Sequence, residues 1–233
     1  MLDFKKIAAE YPFRTELHAH TFPVSPCSSV FAADMVQNYL AAGCHTLAIT
    51  NHLNSKYLTE NIAKAAEIYL SDYYAALEAA KGTDLNVVLG TEIRFPKSEE
   101  FLVYGISPED IEYFISLLPD GIENFYKKVK NDRNLILQAH PFRKDIVLAP
   151  TDAIDGIEVF NLHPTQHSAT AYAAQYAKKH NMIISGGSDC HIKSATALCL
   201  LCTQTRIRDS YDIADALKSK QYVFDCSGYF IIP

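Results

Sequence analysis

Ser185-Gly186-Gly187-Ser188-Asp189-Cys190-His191 answers a stretch near the start of the chain, Thr15-Glu16-Leu17-His18-Ala19-His20-Thr21. At an extended strand end, side chains two apart share a face, so His18 with His20, and Asp189 with His191, each aim two ligand atoms one way. About 170 residues separate the pairs, and they read as opposite walls of one metal site.

Between these walls one order of events recurs: a short apolar run, a polar residue able to bind metal, then helical material. The run at 45–50 delivers Asn51-His52, and the run at 85–89 leads through Gly90-Thr91 to Glu92. Further runs cover 100–105, 134–139 (before His140-Pro141-Phe142-Arg143), 156–161 and 182–185. Helical spacing is expected over 30–42, stopped by Gly43, and over 58–81, stopped by Gly82. It is expected again from Pro108 to about 130, over 166–179, and over 210–218 before a closing strand at 222–224. Seven candidate strands alternating with helices predict an α/β protein, a distorted (β/α)7 TIM-like barrel with parallel strands. A doubly wound open sheet would gather its ligands mainly at one switch point instead. With no repeat, linker or low-complexity tract, residues 1–233 read as a single domain.

Composition narrows the function. A net charge of -6, a pI near 5.8 and no basic run argue against a stable nucleic-acid complex. The opening Met1-Leu2-Asp3-Phe4-Lys5-Lys6 lacks the basic-then-apolar pattern of a signal peptide, and no apolar stretch approaches the roughly 18 residues of a membrane span. Six cysteines (Cys27, Cys44, Cys190, Cys199, Cys202, Cys226) at irregular spacings read as reduced thiols, so a cytoplasmic location is expected. Homo-oligomerisation is left open.

His18, His20, His52, Glu92, His140, Asp189 and His191 all fall at strand ends. Imidazoles mixed with carboxylates suit zinc, manganese or iron, and seven ligands are too many for one tetrahedral ion. Two or three divalent ions are therefore expected, with Glu92 able to bridge. Such clusters lower the pKa of a bound water toward about 7 and place ions about 3.5–4 Å apart across a displacement. Phosphate ester hydrolysis by a metal-bound hydroxide is a natural use, because charge stabilisation dominates its catalysis.

The set Thr15–Thr21 (TELHAHT), Ile49–His52 (ITNH), Gly90–Glu92 (GTE), Ala139–Arg143 (AHPFR), Gly156–Asn161 (GIEVFN) and Gly186–His191 (GGSDCH) resembles the PHP (polymerase and histidinol phosphatase) family. The resemblance runs from about residue 15 to 191. It implies a distorted seven-stranded barrel with a metal cluster held by the seven residues above, with His18, His20, Asp189 and His191 carrying catalysis. For a chain of this size it implies a phosphoesterase acting on a small phosphorylated metabolite, nucleotide or short oligonucleotide rather than a polymerase-attached domain. Arg143 and Arg94 are candidates for gripping the phosphate through paired donors, with a solvated surface arginine the alternative for each.

Some positions depart from the family pattern. Asn51 stands where an aspartate is common and is expected to orient His52 by hydrogen bonding. A further histidine found in some members is replaced by the neighbourhood Ser25-Pro26-Cys27, and another by Glu99-Glu100. A third ion is then weak or absent unless Cys27 or Glu100 substitutes. Glu158 and Asn161 are placed at the mouth, Glu158 alternatively as a paired interior carboxylate. His163 and His167 read as loop histidines within reach of substrate, His45 and His180 as structural, and Cys190 as pointing away from the ligands. The rival functions are an amidohydrolase-like C–N hydrolase, which would favour a carbamylated lysine at a strand end, and a non-catalytic metal-binding or regulatory module, which should have lost several ligands.

Overall fold

The computed structural model describes residues 4–96 and 99–232. Met1, Leu2 and Asp3 of the leader reading, and the two ends of the 1–233 domain reading, lie outside the described residues.

A short helix, α1 (Phe4–Glu10), precedes β1 (Phe13–Glu16). After a turn-rich loop, α2 (Ala32–Ala41) buries Ala32, Met35, Val36 and Tyr39, the three-to-four spacing of one apolar stripe. β2 (Thr46–Ile49) and β3 (His52–Leu53) are separated only by Thr50-Asn51. α3 (Ile62–Ala80) starts where the Asn61 side chain accepts the Lys64 N–H, a capping bond that replaces a missing helical partner. The helix begins later than residue 58, after a 3-10 turn at Ser55–Tyr57, because its cap is Asn61.

β4 (Asn86–Leu89) and β5 (Thr91–Arg94) flank Gly90, and β6 (Glu100–Tyr104) follows. The helical material after Pro108 is two helices, α4 (Asp110–Leu117) and α5 (Gly121–Val129), broken at Pro119, which cannot continue an α-helical hydrogen-bond ladder. Then come β7 (Leu135–Gln138), β8 (Gly156–Asn161), α6 (Thr170–His180) and β9 (Ile183–Gly187). β10 (Cys199–Thr203), α7 (Ser210–Ser219), β11 (Tyr222–Cys226) and β12 (Tyr229–Ile231) complete the order.

The pairings run round a ring. β1 pairs β2 and β2 pairs β4, both parallel; their continuations β3 and β5 also pair in parallel, with His52 opposite Glu92. β5, β6 and β7 pair antiparallel, and β7, β8 and β9 pair parallel. Beyond its last strand residue, the β1 segment meets the end of β9 through an Ala19–Cys190 bridge. Two hydrogen bonds fasten this seam, His20 N–H to Cys190 O at 2.9 Å and Cys190 N–H to His18 O at 3.0 Å. Counting β2/β3 and β4/β5 as single bent strands, the ring has the seven members that the apolar runs predict, and the fold is mixed α/β, its strands in two six-stranded sheets.

One expectation is corrected: the strands are not all parallel. β6 runs against both neighbours, because the connection from Arg94 to Glu100 is too short for the crossover of a dozen or more residues that parallel neighbours need. The C-terminal part continues from β1. β10 pairs antiparallel with β1, and β11 and β12 add to it in turn, forming a flap whose Cys199, Leu201 and Phe224 share a buried cluster with Leu17 and Tyr104. Among the described residues no helix is long and apolar enough to cross a membrane.

Alternation along β6 divides the core. Phe101 and Val103 pack with the helical layer, including Tyr69, Phe114 and Phe125. Leu102 and Tyr104 turn into the ring beside Leu17, Ala48, Val88 and Leu137. Tyr104 Oη donates to Leu17 O at 2.7 Å, so the interior is filled below the mouth. Close approach at the seam explains one glycine: a Cβ on Gly187 would lie 2.5 Å from His18 Cβ.

Candidate metal centre

All seven residues predicted as ligands meet at one mouth of the ring. His18 and His20 come from the extension of β1, His52 opens β3, Glu92 lies on β5, His140 follows β7, and Asp189 and His191 follow β9. Glu92 sits between the histidines: Oε1 is 3.3 Å from His18 Nε2 and 3.1 Å from His140 Nε2, while Oε2 is 3.3 Å from His20 Nε2 and 2.8 Å from His52 Nδ1. Asp189 Oδ1 lies 3.4 Å from the Nε2 atoms of both His18 and His20 and 3.3 Å from His191 Nδ1. The imidazole of His20 stacks between those of His52 and His191, at centroid distances of 4.3 and 4.2 Å.

Glu100 joins them. The reversed direction of β6 brings its N-terminal end to the mouth, and Glu100 Oε2 lies 3.6 Å from His140 Nε2, with Oε1 3.9 Å from His52 Nδ1. From the sequence Glu100 is expected only as a substitute ligand, because functional residues are expected after a strand rather than at its start.

These atoms are near one another but are not mutually satisfied. His18 Nε2, His20 Nε2, His52 Nδ1 and Glu92 Oε2 are buried and have no hydrogen-bond partner, even where a heavy atom is within 3.3 Å. The four atoms crowd together at the mouth instead. Buried polar groups left this way are costly in an ordinary core, and a divalent cation is the partner that fits imidazoles and carboxylates together. Four sets of three qualify: His18-Glu92-His140, His18-His20-Asp189, His20-His52-His191 and His52-Glu92-Glu100, with ligand atoms within 4.8 Å of one another in each. Glu92 belongs to two of them.

The electrostatics of the pit agree. Burial raises the pKa of Glu92 and Asp189, but the surrounding histidines overcome it and hold both carboxyls well below their usual range. Burial works against charge on His18, yet Glu158, Asp189 and Glu92 hold its pKa well above normal. His20 goes the other way, lowered by burial and by His52 and His191. Burial and then Glu92 push Glu100 up, the strain of two carboxyls buried side by side. Cys27, on the rim, would be raised by its partial burial, but hydrogen bonds with His191 and His52 bring its thiol to about 6.

A surrounding frame fixes the ligands. Glu158 Oε1 bonds His18 Nδ1 at 2.9 Å, and its Oε2 accepts the His140 N–H at 3.1 Å and the Asn161 amide at 2.9 Å. A carboxylate on one ring nitrogen leaves the other as the free lone pair. Glu16 Oε1 accepts the N–H groups of both His18 and Ser188 at 2.9 Å, and Tyr39 Oη donates to its Oε2 at 2.6 Å. Glu16 thus ties the two walls of the seam together, and it was missed in the sequence. The signal was available: strand alternation puts residues 16, 18 and 20 on one face. His140 and Asp189 hold positive φ angles of 28° and 50°, a sparsely occupied region for such residues that concentrates at functional sites.

The remaining candidates separate. Arg143 Nη2 donates to Asp189 Oδ2 and Asn161 Oδ1, each at 2.6 Å, and its Nε to Ser168 Oγ at 3.2 Å. Arg94 is half-exposed, with Nη1 3.6 Å from Glu100 Oε1. Asn51 does not orient the His52 ring: its amide accepts the Thr21 N–H at 2.7 Å and donates to Thr21 Oγ at 2.8 Å, pinning the loop after His20. His163 stands edge-on to His191 at 5.5 Å, whereas His167 is exposed. His45 Nδ1 accepts the Arg14 N–H, and His180 packs on Tyr176. Cys190 Sγ turns away, to Met35 Sδ at 3.8 Å.

No curated protein sequence matches the chain. A two-domain protein from Bacteroides vulgatus ATCC 8482, containing a predicted PHP-like metal-dependent phosphoesterase, superposes with a TM-score of 0.64 at 17% identity, over 91% of this chain and 64% of that one. Endonuclease Q, solved with a 27-mer duplex substrate bearing an abasic lesion at the active site, superposes with a TM-score of 0.62 at 12% identity, over 89% of this chain and 56% of that one. PsfC from Pseudomonas syringae PB-5123 gives 0.60 at 13% identity, over 87% of each chain. The chain therefore spans under two thirds of the first two proteins, and at these identities the likeness is one of fold. The family model for the PHP domain matches residues 16–231, nearly the whole ring and flap, and the chain belongs to the PHP domain family.

Proposed function

We propose that this protein is a metal-dependent phosphoesterase that hydrolyses a phosphate ester in a small phosphorylated metabolite, a nucleotide or a short oligonucleotide. The observation that carries the reading is the convergence of four unpartnered buried ligand atoms, on His18, His20, His52 and Glu92. His140, Asp189, His191 and Glu100 complete the donor set, which suits two or three ions of zinc, manganese or iron. Divalent ions held there would supply positive charge to the phosphoryl group and a water acidified toward a pKa of about 7.

The chain's own residues do the rest. Glu92 presents one oxygen to His18 and His140 and the other to His20 and His52, so it can serve two neighbouring positions at once. Glu158 holds His18 by Nδ1 and aims Nε2 inward. Arg143 spends its paired donors on Asp189 and Asn161, so its duty is to position Asp189. Arg94, with one long contact to Glu100 on the rim, is a cation able to turn toward an anionic substrate. The acidic net charge favours a small ligand drawn in by local charge over a stable nucleic-acid complex.

The test supplies manganese, zinc and iron separately to metal-free protein. It then measures inorganic phosphate release from phosphorylated metabolites and cleavage of short oligonucleotides, with His18→Ala beside the parent. Hydrolysis that needs metal and is lost in a folded His18→Ala supports the reading. Metal-replete protein that cleaves no phosphomonoester or phosphodiester overturns it.

A further inference from the structure

Behind the metal centre, on the flap, two cysteines face each other. Strand register pairs Cys199 of β10 with Cys226 of β11, and their Sγ atoms are 3.6 Å apart. On the adjoining rung, Ser227 N–H donates to Leu198 O at 2.9 Å. Hydrogen-bonded and non-hydrogen-bonded rungs alternate in an antiparallel pair, so Cys199 and Cys226 occupy a non-hydrogen-bonded rung, where Cα atoms approach to about 4.5 Å. That separation lies within the range of about 4.4–6.8 Å that a disulfide spans. Both residues are free thiols, Cys199 buried and Cys226 half-buried.

We propose that Cys199 and Cys226 are an oxidative modification site, closing to a reversible intramolecular disulfide with a low-molecular-weight disulfide such as oxidised glutathione as oxidant. The order of attack follows from exposure. Cys226 is reachable, and the hydrogen bond from Cys199 lowers its pKa. Burial pushes the Cys199 thiol up, which makes it the resolving partner. The Cys226 thiolate attacks one sulfur of oxidised glutathione, the glutathione S–S bond breaks, and one glutathione thiolate leaves and takes a proton. Cys199 then gives up its proton and attacks the Cys226 sulfur of the mixed disulfide, releasing the second glutathione. Two protein thiols lose two electrons, and one glutathione disulfide becomes two thiols.

The bond would link β10 to β11 within the flap, against the back of the site. Cys199 N–H donates to Ser188 Oγ at 3.1 Å, Ser188 is the neighbour of Asp189, and a Cβ on Gly186 would lie 3.1 Å from Cys199 Sγ. The oxidised rung therefore lies against β9, directly below the turn that carries Asp189 and His191.

The experiment treats the full chain with oxidised glutathione, alkylates the remaining thiols and maps peptides by mass. The expected result is a Cys199–Cys226 crosslink that dithiothreitol reverses. In Cys199→Ser, the reaction stops at a glutathione adduct held on Cys226. In Cys226→Ser, changed at the half-exposed position and checked for fold by circular dichroism, the crosslink disappears. Recovery of both residues as alkylated thiols after oxidation, or crosslinks that join other cysteines while these two stay free, overturns the proposal.

Discussion

At the scale of single residues, the histidine and aspartate pairs were legible because alternation at a strand end has a fixed period, so His18 with His20 and Asp189 with His191 had to share faces. What alternation does not show is which acids hold ligands rather than act as ligands. Glu16 and Glu158 are chemically indistinguishable from Glu92 in sequence, and only the positions of the His18 and Ser188 N–H groups and of His18 Nδ1 separate them. Their roles can be tested apart from turnover. Glu158→Gln keeps the shape but removes the charge facing His18 Nδ1, and metal affinity should fall about 10–100-fold, the usual cost of losing such a partner. A chelator titration measures it, and unchanged affinity would return Glu158 to the role of ordinary interior carboxylate. Arg94→Ala removes a cation from the rim whose contact with the donor set is the 3.6 Å approach to Glu100. KM for a phosphorylated substrate should rise several-fold with kcat nearly kept, the pattern of lost uniform binding. A fall in kcat with unchanged KM would instead place Arg94 in the chemistry.

At the scale of elements, the seven apolar runs announced seven strands, but direction is not written in an apolar run. It was written in the connections. Only residues 95–99 lie between β5 and β6, enough for a hairpin and too few for a crossover helix, and the same reversal brings Glu100 to the mouth. The flap was less accessible, because the run at 199–203 gives no sign of which side of β1 it will join. The β1–β9 seam, in contrast, depends on a residue that is visible in the sequence. Gly187→Ala would place a methyl group 2.5 Å from His18 Cβ, and neither backbone can withdraw without breaking the Ala19–Cys190 bridge. Overpacking of this kind costs about 1–3 kcal/mol, so the denaturation midpoint should fall with the m-value unchanged. Metal affinity should weaken together with it, since the displaced side chain is His18. A variant as stable as the parent would mean that the seam is looser than its hydrogen bonds indicate.

For the molecule as a whole, the ring and the pit depend on one another. Folding brings Glu92, Glu100 and Asp189 out of water at the same mouth, and without metal ions they are offset by imidazoles, by Arg143 on Asp189 and by Arg94 near Glu100, while several donors remain unpaired. The native chain should thus bind divalent ions far better than the unfolded one, where no such convergence exists. Linkage turns that difference into stability. At free metal a hundredfold above Kd, one bound ion adds about 2.7 kcal/mol, which for a chain of this length corresponds to a Tm shift of about 5–10 °C. Dialysis against a chelator should lower Tm by that order, and returning manganese, zinc or iron should restore it, the most strongly held ion restoring most. The stabilisation should be absent in His18→Ala, whose side chain belongs to two of the four donor sets. If elemental analysis confirms that the ions are gone while Tm stays in place, the unpartnered atoms at the mouth do not converge on metal, and the hydrolytic reading loses its physical basis.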